Sequence, residues 1–205
     1  MDEAETNHIA PNQPVRAPGP GTSGKLVLVG LGVGTILLGV GAALLPLTMP
    51  NSTGAIIGWL LLLAGTFEIT AGVVRGFEEV RIGRIGAGGV TALAGLLFIL
   101  NPLLELFPTL YLVIAWLLVR GVILLSVAFR SSRAVTMAVA ISGLADMLLA
   151  LVLIAGIPVA GFVVSVFGPT PELVAHFAWI FAASFVVTGL SLLLEPYFRG
   201  SDRQV

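Results

Sequence analysis

The chain has no cysteine, which removes disulfides, thiolate metal sites and cysteine nucleophiles together. It has two histidines, His8 and His176, too few for a histidine-rich metal site. Charge is scarce: 10% of the 205 residues are Asp, Glu, Lys or Arg, with a net charge of −1. Phosphate binding needs a concentrated basic surface, so nothing here points to a nucleic-acid partner. There is no Gly-Lys-Ser/Thr phosphate loop, no His-Glu-x-x-His and no hydrolase elbow. The Gly-x-Gly runs at Gly30 to Gly34 and Gly86 to Gly88 lie in apolar stretches, where helix packing accounts for them better than a dinucleotide. The expectation is a non-enzymatic protein with no metal and no cofactor.

What abounds is apolar surface: 57% of residues are hydrophobic and mean hydropathy is +1.06, a chain whose main partner is a lipid bilayer. Six stretches reach the roughly 20 apolar residues of a membrane-spanning helix: about 25–46, 55–75, 84–101, 108–130, 134–156 and 174–195. Lipid cannot satisfy open backbone, and no stretch shows barrel-type alternation, so the fold class is all-α and polytopic. Residues 1–24 are acidic, then rich in Pro and Gly, without a signal-peptide pattern. They read as a disordered cytoplasmic tail, with residues 25–198 as the membrane domain and 199–205 as a second cytoplasmic tail.

Orientation follows from the basic residues, which cytoplasmic loops carry in excess. Arg16, Lys25, Arg75, Arg81, Arg84, Arg130, Arg133, Arg199 and Arg203 all fall on one side of the six-span scheme. The opposite connections carry no Lys or Arg, only Glu105, Glu172 and the adjacent His176. Both termini are therefore expected in the cytoplasm, and the protein in the plasma (inner) membrane.

An internal repeat organises the chain. Gly39 and Pro46 return as Gly95 and Pro102, and the same step again leads from Pro102 to Pro158. Gly65 and Gly121 keep this step too, and the third counterpart reads as Ser184, seven positions beyond where the step would end. Each unit is a helical hairpin (about 25–75, 84–130 and 134–195), the third with an outer loop, 157–173, lengthened by those seven positions. Hairpins inserted in the same sense are related by an axis along the membrane normal, so a six-helix bundle of approximate threefold symmetry is expected, with small residues at helix contacts. A homo-oligomer is compatible with this pattern.

The Gly-x6-Pro repeat, the hairpin length, Trp116 or Trp179 followed a turn or so later by Gly121 or Ser184, and the one-sided basic residues together resemble the HdeD family of acid-resistance membrane proteins. The likeness covers about residues 25–198. It implies a small multi-pass inner-membrane protein linked to acid-stress survival, without established enzymatic activity, known cofactor or catalytic residues to carry over. The departures are the long N-terminal tail and the lengthened third hairpin, where Leu151 stands in place of Gly before Pro158.

Three ionisable residues sit deep in expected spans: Glu68, Arg120 and Asp146. Charges at the bilayer centre are costly and face the bundle interior, and small residues flank both acids at i±3 and i±4. In the repeat frame each aligns with uncharged residues in the other units, so the trio breaks the symmetry. Two carboxylates against one Arg leave one acid unpaired, and burial favours its neutral form. That suggests an intramembrane proton-responsive site, in a sensor, a proton-coupled carrier or a leak-limiting element; the alternative is interhelical glue. Transport, with Arg120 as an anion or substrate site for an unknown ligand, is the second reading. His176 with Glu172 near the outer start of the sixth helix is a further pH-sensitive candidate, against an ordinary interfacial His.

Overall fold

The computed structural model describes residues 22–48, 53–74, 78–100, 109–130, 133–167 and 171–201, all of them helical. The helices are α1 (Thr22–Thr48), α2 (Thr53–Val74), α3 (Glu78–Leu100), α4 (Thr109–Arg130), α5 (Arg133–Phe167) and α6 (Pro171–Ser201). Five are long and apolar enough to cross a membrane, and in α6 the described apolar stretch is Ala178–Leu194. The protein is all-α and polytopic, as the hydropathy pattern requires. Most of the expected N-terminal tail, Pro102 and Glu105 lie outside the described residues, whereas Pro46, Pro158, Glu172 and His176 fall within helices.

The outer face is apolar: Leu37, Val40 and Leu44 in α1, Leu93, Leu96 and Leu100 in α3, and Leu144, Leu148 and Leu151 in α5 are exposed. Polar side chains on this face turn inward along the backbone, as where the Thr66 and Ser126 hydroxyls donate to the carbonyls of Leu62 and Val122 at 2.8 and 2.7 Å. Their hydrogen-bonding capacity is thus met without water.

The helices form a closed ring in chain order, with α6 returning to α1. The tightest interfaces are α2·α3, α4·α5 and α6·α1, so the closest packing lies between successive hairpins rather than within them. Paired glycines cause it. A Cβ on Gly65 would lie 2.6 Å from the Gly88 carbonyl oxygen, one on Gly121 would lie 3.1 Å from that of Gly143, and one on Gly189 would lie 2.7 Å from that of Gly32. At each crossing the absent side chains let two backbones meet, which is how helices associate in lipid.

These crossings correct the register of the third unit. Gly189, a little over one turn beyond Ser184, takes the place expected for that serine. In α5 the small residues Gly143 and Ala150 follow Gly88 and Gly95 by one position less than the regular step. A one-residue shift turns a helix by about 100°, so Leu144 and Leu151 face outward and Leu151 is 61% exposed. The missing glycine before Pro158 is therefore no packing defect. The insertion is also longer than the seven positions expected, because the step from Gly121 to Gly189 exceeds that from Gly88 to Gly143 by thirteen. The expected loop at 157–173 is largely helix: α5 continues to Phe167, 35 residues in all. At 1.5 Å per residue that is roughly 52 Å, longer than a hydrocarbon core of about 30 Å. No charge interrupts Val159 to Phe167, and continuing the helix keeps the backbone paired where a loop would not.

Candidate functional site

α3 begins at Glu78, well before its apolar run suggests, because its first turns carry polar residues that a helix tolerates near a membrane surface. This places Arg84 inside the ring, 0% exposed, although the charge count assigns it to a cytoplasmic loop. Arg84 repeats an apolar position, with buried Leu28 in α1 and Val139 in α5 as its counterparts. Glu68 likewise stands where α4 and α6 have Leu124 and Leu192, and Asp146 where α1 and α3 have Thr35 and Thr91. Arg120 aligns with Ala64 and Thr188, two small residues that leave room for a guanidinium. A near-threefold frame thus holds a centre without symmetry.

The structure brings Glu68, Arg120 and Asp146 together and adds Arg84. Arg120 donates from Nε to Glu68 Oε2 at 3.3 Å and from Nη2 to Oε1 and Oε2 at 3.2 Å. Its Nη1 pairs with Asp146 Oδ2 and donates to Ser184 Oγ at 3.2 Å, while Nη2 also reaches Thr188 Oγ1 at 2.7 Å. Arg84 donates from Nη1 to Glu68 Oε1 at 3.3 Å and from Nη2 to Ser191 Oγ at 3.1 Å. Two guanidiniums thus face two carboxylates, and the expectation of an acid without a partner is corrected: Arg84 supplies it.

The three hydroxyls come from one face of α6, spaced i, i+4 and i+7. Ser184 donates to Asp146 Oδ1 at 2.7 Å, Thr188 to the Ser184 carbonyl at 2.8 Å and Ser191 to the Thr188 carbonyl at 2.8 Å. With its proton engaged, each hydroxyl presents lone pairs to a guanidinium. One donor stays over: Arg84 Nε, buried, has no acceptor among the described residues. An unmet buried donor of this kind costs about 1–3 kcal/mol.

The ions are enclosed on both sides. α1 begins and α6 ends on one side of the ring, here the tail side; toward it Val80 and Ala128 are buried one turn beyond Arg84 and Leu124, with Leu28, Leu124, Val139 and Leu192 at the level of Arg84 and Glu68. On the far side stand Phe98, Trp116, Phe181 and Phe185. Trp116 and Phe181 are 5.3 Å apart between ring centroids, Phe98 and Phe181 6.0 Å, and Trp116 and Phe185 6.4 Å. Trp116 Nε1 donates to Thr91 Oγ1 at 3.1 Å, so its one polar atom is satisfied. Trp116 is 3% exposed whereas Trp179 is 61% exposed. The two tryptophans are therefore not counterparts, and it is Ser184 that aligns with Trp116.

Two consecutive segments, residues 30–88 and 86–155, match a protein family described as a short repeat of unknown function, DUF308. Together they cover more than half of the chain. It belongs to the DUF308 family. The two DUF308 copies start at positions 30 and 86, offset by the same step that separates Gly39 from Gly95, and their boundary falls within α3. DUF308 is the domain of the HdeD-like membrane proteins. The matched DUF308 segments contain Glu68, Arg84, Arg120 and Asp146, whereas the hydroxyl ladder of α6 lies beyond them. No curated protein and no solved structure matches the chain.

Glu172 and His176 fall in the first two turns of α6. Arg84, Thr188 and Ser191 escaped the sequence reading, although a signal for each exists. Arg84 has Ala87, Gly88 and Thr91 at i+3, i+4 and i+7, the kind of flank that marks Glu68 and Asp146 as inward-facing. Ser184, Thr188 and Ser191 form a polar stripe in an otherwise apolar helix.

Proposed function

We propose that this protein is a non-enzymatic, multi-pass protein of the plasma (inner) membrane that serves acid or envelope stress resistance, with the buried ion cluster as its proton-responsive element. The observation that carries this reading is the balance of Glu68 and Asp146 against Arg84 and Arg120 within one closed network. A proton on either carboxylate leaves one guanidinium charge uncompensated in a hydrocarbon interior. Such a charge costs at least about 2.5–3.5 kcal/mol near the bilayer centre, enough to drive a change of conformation or of ligand. The membership in DUF308 supports the stress role at the level of the repeat. Exposed Lys25, Arg81 and Arg130 near the tail-side ends of their helices support cytoplasmic termini.

Cells carrying Glu68→Gln or Asp146→Asn are expected to lose acid survival while the protein still accumulates in the membrane. Unchanged survival at normal protein levels would remove the proton-responsive role. A second reading, a small proton-coupled transporter or channel, is favoured by the ladder of Ser184, Thr188 and Ser191, which extends the polar interior along α6. Liposomes containing the protein and a pH-sensitive dye test it, since transport requires proton flux that Asp146→Asn abolishes.

A further inference from the structure

Glu68 and Asp146 are held differently. Asp146 accepts from Ser184 at 2.7 Å and pairs with one guanidinium, that of Arg120. The four Glu68 contacts, from Arg84 Nη1 and from Arg120 Nε and Nη2, are all 3.2–3.3 Å, long against the roughly 2.7–2.9 Å usual for charge-assisted bonds. Glu68 thus bridges both guanidiniums through more but longer contacts. Arg84 Nε has no acceptor among the described residues, so the pair of cations offers more donors than Glu68 uses.

We propose that Arg84 and Arg120 form a binding site for a small monovalent carboxylate or planar oxyanion, which Glu68 fills as a tethered internal ligand and vacates on taking up a proton. This deepens the proton-responsive reading and rests on it. Glu68 is faced by Arg84 from α3, Arg120 from α4, and the uncharged Thr188 and Ser191 from α6, with Asp146 of α5 across Arg120. Among the described residues α1 brings no charged group to it. With Glu68 neutral the cluster holds two positive charges and one negative, so one monovalent anion restores balance. Proton and anion then enter one to one, the proton on a Glu68 oxygen and the anion unaltered. A planar carboxylate suits the site because two guanidinium forks already grip a carboxylate there.

Formate is the probe, bound to the full chain in lipid nanodiscs and followed by saturation-transfer NMR at pH 5 and pH 7.5, with proton uptake measured in parallel by a dye. Wild type is expected to bind formate at least tenfold more tightly at pH 5. Glu68→Gln, which mimics the protonated carboxyl, is expected to bind tightly at both values, and Arg84→Gln weakly at both. If Glu68→Gln binds no better than wild type at pH 7.5 while wild type still takes up more protons than the Glu68→Gln, Asp146→Asn double variant, the anion site is wrong and the proton-responsive reading stands. If wild type takes up no more protons on acidification than that double variant, whose other acids are the same, the proton-responsive reading fails first. Should Glu68→Gln not accumulate, wild type against Arg84→Gln decides, since equal pH-dependent binding by the two overturns the site. Chloride competing as well as formate would overturn the assignment to a planar anion.

Discussion

The two halves of the ring interior are held by different physics. On the far side, Phe98, Trp116, Phe181 and Phe185 fill space, and any side chain of similar shape could take their place. On the tail side, Glu68, Arg84, Arg120 and Asp146 are coupled through shared atoms, and each is tolerable only because the others are there. A bilayer supplies no hydrophobic drive between helices. The aromatic half therefore gains mainly from contact, whereas the ionic half specifies how α2 to α6 meet and in what register.

Three measurements sharpen this contrast. The largest effect belongs to Arg120→Met, which strands the buried Asp146 and leaves Glu68 with Arg84 alone, and should cost about 3–5 kcal/mol. Thermal unfolding in detergent would register it, and adding Asp146→Asn should restore much of the loss, because the Glu68 and Arg84 that remain still form a pair. If Arg120→Met is as stable as wild type, the ions are not coupled as described. Next comes Gly65→Ala, in the scaffold common to both halves. Its Cβ would lie 2.5 Å from the Ala92 backbone nitrogen, and such overpacking costs about 1–3 kcal/mol; Gly30→Ala, with nothing within 4 Å, is the silent control. The smallest is Trp116→Phe, which keeps the ring packing and loses the bond to Thr91, about 0.6 kcal/mol on average for hydrogen bonds between membrane helices. A loss comparable with that of Arg120→Met would mean that the aromatic half is as specific as the ionic one.

Much of this could be read before any coordinates. Helix number and class follow from apolar length, and the meeting of Glu68, Arg120 and Asp146 follows from the cost of ions in lipid. Arg84 was not legible because counting basic residues by side treats a charge near a helix end as belonging to a loop. The flank of Ala87, Gly88 and Thr91 carries the opposite message. The register of α6 was lost for a different reason: Trp179 imitates Trp116 in sequence but faces outward, and the true landmark, Gly189, is recognisable only by the backbone of Gly32 against it. Spacing along a chain does not show which face a helix presents once an insertion has intervened.

The seam between the first and last helices has a bearing on biogenesis. Gly32 and Gly39 in α1 are shaped for α6, the last helix to be made. At about 5–20 residues per second, α1 waits on the order of ten to thirty seconds in the bilayer with its small-residue face uncovered. During translation that face is open to any passing helix with a matching groove, so premature termination before α6 leaves an unfinished ring that quality control can recognise.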